Sequence, residues 1–164
     1  MRGIHRAARW LIFALPLLAV LVADAQRAEA QWQLGAGIAS IHSGSRTGGF
    51  IAGGFLRSLD GPGRLQLGGH ASIGTADEGY TTLEVDAQVH PTPSAQVSPF
   101  VGVQAGVLAE PEFSGGVFTG IAGIVVPMRP SRSIRIVGGW ATHGDTPGPH
   151  FLLVALEFGR RTRS

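Results

Sequence analysis

The 164-residue sequence predicts an all-β fold: a closed, antiparallel, up-and-down eight-stranded transmembrane β-barrel preceded by a cleavable signal peptide. Three observations carry that expectation. Eight segments alternate in hydropathy with period two, the pattern of strands whose successive side chains point to opposite faces. The connections between them are short and even, so that a simple meander removes its open edges only by closing on itself. Finally, only 15% of residues are charged, too few to cover the outside of a soluble β protein of this size.

The chain begins with Arg2, Arg6 and Arg9, continues through an apolar stretch from Trp10 to Val22, and reaches two small-x-small sites, Ala23-Asp24-Ala25 and Ala28-Glu29-Ala30. This is the order of a secretory signal peptide over residues 1–25, with cleavage after Ala30 as the alternative. The apolar stretch is 13 residues long, against the roughly 20 that a spanning helix requires. No Cys is present, so neither a lipid-modified Cys nor a disulfide enters the reading. Three of the 13 basic residues, all Arg, lie in the signal; cleavage after Ala25 leaves ten Arg against ten acids. The high pI therefore belongs mostly to the removed segment, and no nucleic-acid partner is expected.

The barrel is expected over residues 31–158, followed by a basic tail at 159–164. Strand one, Gln31 to Ser40, sets Trp32, Leu34, Ala36 and Ile38 against Gln33, Gly35, Gly37 and Ala39. After a Gly/Ser/Arg loop from His42 to Gly48, Gly49 to Arg57 reads as a glycine-spaced second strand. Asp60-Gly61-Pro62-Gly63 is a tight turn. Strand three alternates Leu65, Leu67, Ala71 and Ile73 with Gln66, Gly68, His70 and Ser72. Strand four, Thr81 to His90, opposes Leu83, Val85, Ala87 and Val89 to Glu84, Asp86, Gln88 and His90, and is ended by Pro91 and Pro93. Strand five is Val97 to Leu108. Strand six, Gly115 to Val126, is apolar on both phases, and its Gly and β-branched content argues for strand. Strand seven, Ser133 to His143, sets Ile134, Ile136 and Trp140 against Arg135, Val137 and Ala141. A turn from Gly144 to Pro149 leads to strand eight, His150 to Phe158, in which Leu152, Val154, Leu156 and Phe158 oppose Phe151, Leu153, Ala155 and Glu157.

Strands of eight to twelve residues fit tilted membrane strands, which need about 9 to 11. Lipid then faces the apolar phase, and the polar phase fills the lumen with a network of Gln66, Glu84, Asp86, Gln104, Arg135 and Glu157. Arg135 is expected within pairing distance of Glu84 or Asp86, because a buried charge needs a partner. Aromatic residues lie toward strand ends, with Trp32, Phe55, Phe100 and Phe158 near one rim and Phe50, Tyr80, Trp140 and Phe151 near the other, and read as interfacial girdles. The connections sort by charge as well. Arg57, Arg64, Arg129, Arg132, Arg160, Arg161 and Arg163 collect at one end; Asp77, Glu78, Glu110, Glu112 and Asp145 collect at the other.

A signal followed by eight alternating strands resembles the small bacterial outer-membrane barrels, the class containing the OmpA transmembrane domain, OmpX and the opacity-type proteins. The resemblance implies an outer-membrane location, lipids and the outer-membrane assembly machinery as partners, and both barrel termini in the periplasm with the acidic rim outside. It also implies an assembly role for the aromatic residue ending the last strand, here Phe158.

Chemistry-bearing constellations are few. An eight-stranded lumen is wide enough for side chains only, which favours a structural plug over an ion-conducting pore. His70 and Ser72 share one strand face, and Glu84 sits on the neighbouring strand, the residue types of a Ser/His/Glu nucleophilic site. A His-x-Ser element with a later Glu is also similar to that of the outer-membrane lipid A 3-O-deacylases. There, however, it lies on the final strands and faces lipid, and the Asn that follows the Ser is here Ile73. No catalytic residue is assigned, and the chain is read as a non-enzyme. His42, His143 and His150 lie near one rim without metal-ligand spacing, so no metal or other cofactor is expected. The function expected is structural or surface-interactive. A soluble, exported, lipocalin-like barrel is the alternative, and it requires the Leu83 and Val85 face to point inward.

Overall fold

The structure is a computed structural model that describes residues 30–41, 46–75, 79–110, 114–129, 131–143 and 146–159, with the side chains of 41, 46, 143 and 146–149 left aside. The segment expected to be a signal peptide lies outside these residues, as do Asp77, Glu78, Glu112, Asp145 and the tail arginines. Eight strands follow one another: β1 (Gln31–Ile41), β2 (Arg46–Ser58), β3 (Leu65–Gly74), β4 (Tyr80–Val89), β5 (Ser98–Ala109), β6 (Ser114–Arg129), β7 (Arg132–His143) and β8 (Thr146–Phe158). Each pairs antiparallel with the next, and β8 closes on β1 from Trp32↔Phe158 to Ser40↔His150. No open edge is left for association.

Several strands run beyond their sequence-based limits. β2 starts at Arg46 instead of Gly49 and β8 at Thr146 instead of His150, since the ladder continues to Ile41↔Arg46 and His143↔Thr146. Pro147 is tolerated because the β7–β8 register shifts between Trp140 and Thr142; Pro127 on β6 likewise sits at a shift, between Pro127 and Arg129. Proline cannot donate to a ladder, and bulges are where a sheet accepts it. The β2–β3 turn closes as its sequence requires. Gly63 takes a φ of 72°, its N–H donates to the Asp60 carbonyl at 3.1 Å, and the Asp60 carboxylate accepts from Leu65 N–H at 2.8 Å.

The two faces separate as predicted. Leu34, Ile51, Ile73, Val101 and Trp140 are each more than half exposed on the outer surface. Glu84, Asp86, Gln88 and His90 are buried inside, while Ala87 and Val89 are exposed and Leu83 and Val85 half-buried on the other phase. The apolar row of β4 thus faces outward, the reverse of what an apolar inner cavity requires.

The lumen is not polar all round. Leu108, Val117, Ile121, Val125, Val137 and Leu153, from β5 to β8, form an apolar wall together with Phe50 and Ala52 of β2. The polar side chains concentrate on β3, β4 and β5. Strand six is apolar on both phases for this reason: one face belongs to the apolar wall and the other to the outer surface.

Candidate functional site

The candidate site is the lumen itself, which is packed in two halves. In the half near Gln31 and Phe158, Arg135 is 1% exposed. Its Nε donates to Glu157 Oε1 at 2.6 Å, and its Nη1 donates across the barrel to Gln88 Oε1 at 2.7 Å. The guanidinium carbon lies 4.3 Å from the centroid of the Phe100 ring, a cation–π contact. Phe100 in turn stacks on His90 with centroids 5.1 Å apart, and Ser133 Oγ donates to Glu157 Oε2 at 2.9 Å. Gln33 reaches the same carboxylate at 3.5 Å. A desolvated guanidinium is stable only when its donors are met by charge or carbonyl oxygen, and here both are supplied.

The partner of Arg135 is therefore Glu157, not Glu84 or Asp86. Ser133 is the cross-strand partner of Glu157, so Arg135, two residues further along β7, lies on its diagonal. That neighbour is within reach without crossing the lumen. Asp86 instead faces Gln104 in the β4–β5 register. Gln66 is buried nearby, opposite Gln88.

In the other half, Glu84 accepts a hydrogen bond from Thr119 Oγ1 at 3.0 Å and lies 3.5 Å from His70 Nδ1. Ser72 Oγ and Thr82 Oγ1 are 2.8 Å apart. The acid and base of a nucleophilic site are thus adjacent, but the Ser72 hydroxyl is engaged with Thr82, a contact that does nothing to activate it. These groups border a cavity of about 30 Å³, enough for one or two water molecules. Above them Phe50, Tyr80 and Phe151 form an aromatic cluster, with centroid separations of 6.5 Å for Phe50–Tyr80 and 6.0 Å for Phe50–Phe151.

This placement corrects the girdle expectation. Phe50, Tyr80, Phe100 and Phe151 point into the lumen, since strand phase rather than nearness to a rim decides where a ring goes. Trp32, Phe158 and Trp140 are on the outer surface. Phe55 is also on the outer phase but only 5% exposed, because Trp32 packs beside it at 5.9 Å and the ring lies over Gly69. Each lumen ring stands directly opposite a glycine: Phe50 faces Gly37, Tyr80 faces Gly74, Phe100 faces Gly123, and Phe151 faces Gly139. A Cβ at Gly37 would come within 2.6 Å of the Phe50 ring, and one at Gly123 within 2.7 Å of the Phe100 ring. These glycines are the space that the rings occupy.

Gln88 and His90, already on the polar phase of strand four, join the network beside the six residues named for it, as do Gln33, Thr119 and Ser133. Their signal was the shared inward phase. Among the described residues, no group of three or more His, Cys, Asp or Glu is placed to hold a metal. His150 packs edge-on against Trp140 at 4.6 Å, whereas His42 and the His143 side chain lie outside the described residues.

Comparison with solved structures finds the same architecture elsewhere. Neisserial surface protein A aligns with a TM-score of 0.60 at 10% identity, over 80% of this chain and 97% of that one. A de novo designed transmembrane β-barrel aligns with a TM-score of 0.52 at 14% identity, over 80% and 95%. At these identities the likeness concerns the fold. No family model matches the chain, and no curated protein matches it in sequence.

Proposed function

We propose that this chain is an outer-membrane β-barrel with a structural or surface-interaction role and a lumen plugged by its own side chains. The observation that carries the reading is the inverted surface: a continuous band of Leu, Ile and Val outside, and Arg135, Glu157, Glu84 and Asp86 inside. Water on the outside would leave that band as an aggregation hazard, whereas lipid makes it the favourable face. The fold shared with a Neisserial surface protein and a designed transmembrane barrel supports the same reading. Both ends of the barrel, Gln31 and Phe158, lie at one rim beside Arg57, Arg64, Arg129 and Arg132; this rim is read as periplasmic. Phe158 at the close of β8 is the residue proposed to meet the assembly machinery.

The plug reading rests on the span of the Arg135 contacts, which join β7 to β8 and, across the lumen, to β4. A pore would need those groups apart. We assign no catalytic role to His70, Ser72 and Glu84. The lipocalin-like alternative is disfavoured because Leu83 and Val85 lie on the outer phase and Phe50, Phe100 and Val125 fill the interior. Membrane fractionation with heat-modifiable gel mobility tests the proposal. Recovery in the outer-membrane fraction with a folded, faster-migrating band is expected, and recovery as a soluble periplasmic protein would refute it.

A further inference from the structure

At the rim that carries both barrel ends, Arg132 stands directly opposite Arg129 across β6–β7 and directly opposite Phe158 across β7–β8. Phe158 opposes Trp32 across β8–β1, and Trp32 opposes Phe55 across β1–β2. Directly opposite residues of an antiparallel pair share a face. One row on the outer surface therefore runs from two arginines into three aromatic rings. Both arginines are exposed. The ion pairs Arg135–Glu157 and His70–Glu84 lie in the lumen, and among the described residues no carboxylate is paired with Arg129 or Arg132.

Like charges directly opposite destabilise a sheet unless an anion bridges them. Two guanidinium forks side by side match the oxygens of one phosphate group. The rings beside them, with the apolar band beyond, suit the glycerol backbone and upper acyl chain of a lipid. The β8 end is fixed to the same place, since Gly159 N–H donates to the Ser131 carbonyl in the β6–β7 turn at 3.2 Å. The sequence then continues into Arg160 and Arg161.

We propose that the Arg129–Arg132–Phe158–Trp32 row is a binding site for the headgroup phosphate of an anionic glycerophospholipid in the leaflet at this rim. The inference rests on the membrane-embedded reading above.

The test uses the mature protein carrying Trp140→Phe, so that Trp32 reports, and its counterpart with Trp32→Phe, so that Trp140 reports from the opposite end. Each is reconstituted in phosphatidylcholine vesicles containing a minor fraction of brominated phosphatidylglycerol or of brominated phosphatidylcholine, and tryptophan quenching is compared. At Trp32 the anionic lipid is expected to quench with about fivefold preference, and to lose that preference when Arg129→Gln and Arg132→Gln are introduced or when salt is raised. At Trp140 the two lipids should quench alike. Equal quenching of Trp32 by both lipids overturns the site while leaving the barrel in the membrane. A preference that survives the double Arg substitution overturns it too. Quenching by neither lipid removes the membrane reading and the site together.

Discussion

Replacing Arg135 by Met tests the lumen network at its most buried point. The substitution keeps most of the side-chain volume but removes the 2.6 Å ion pair to Glu157, the 2.7 Å bond to Gln88 and the charge over Phe100. Deleting one member of a buried pair costs about 3–5 kcal/mol, because the other charge stays desolvated. Ser133 and Gln33 still donate to Glu157, so the loss should fall near 3 kcal/mol, within that range. Glu157→Gln alone should cost a similar amount. Combining the two leaves neither charge of this pair, and the double variant should lie only about 1–2 kcal/mol below the wild type, a coupling of about 4–5 kcal/mol. The assay is reversible urea unfolding in lipid vesicles, followed by the mobility shift of the folded band and by tryptophan fluorescence. Losses that simply add, or an Arg135→Met variant within about 1 kcal/mol of wild type, would refute the assignment of Arg135–Glu157 as the interaction holding this half of the lumen.

Other outcomes follow from the same geometry. Ile51→Arg, at an outward position near the middle of β2, should cost about 2–4 kcal/mol in a bilayer, whereas a water-facing site would tolerate it; the same urea titration measures the difference. Gly139→Val places a branched side chain where the Phe151 ring sits and should destabilise by about 1–3 kcal/mol. Pairing it with Phe151→Ala should recover part of that loss, and a failure to recover any would remove the ring–glycine explanation. Ser72→Ala deletes the hydrogen bond to Thr82 and should cost about 1 kcal/mol while leaving lipid A acylation in the host membrane unchanged, as read by mass spectrometry. In planar bilayers the wild-type barrel should show no resolved ion conductance, and discrete openings would contradict the plug.

The strands and their faces were legible in the sequence because period-two alternation is a local signal, strong in β1, β4 and β8. Closure followed from the number of strands and the short connections. What escaped was anything set by register between strands. The β4 acids are the most conspicuous carboxylates in the sequence, yet the one that Arg135 meets is the diagonal residue of β8, one position from the end of the barrel. Phe100 and Phe151 share the strand phase of Ser98 and Glu157, which assigns them to the interior despite their nearness to a rim, whereas the closely spaced glycines of β2 leave the phase of Phe50 unreadable from the sequence. The apolar inner wall was hidden because β6 is apolar on both phases and alternation is silent there. Strand limits at Arg46 and Thr146 were missed where glycine and proline suggest a turn and a register shift admits them.

The aromatic–glycine pairs bear on how the barrel finds its alignment. Gly37–Phe50, Phe55–Gly69, Gly74–Tyr80, Phe100–Gly123 and Gly139–Phe151 join β1 to β2, β2 to β3, β3 to β4, β5 to β6 and β7 to β8. Slipping any of these neighbours by one residue turns the ring to the wrong side of the wall; slipping by two drives it against a residue that has a side chain or leaves the glycine bare. Each such pair works as a keyed joint between sequence neighbours, readable before the cylinder exists. The β8–β1 seam, like the β4–β5 pair, carries no ring facing a glycine among its paired residues, and in their place Gly35 meets Ala155. Alignment is thus written into most of the successive hairpins, and the last seam needs only to accept strands whose order and height those joints have already fixed.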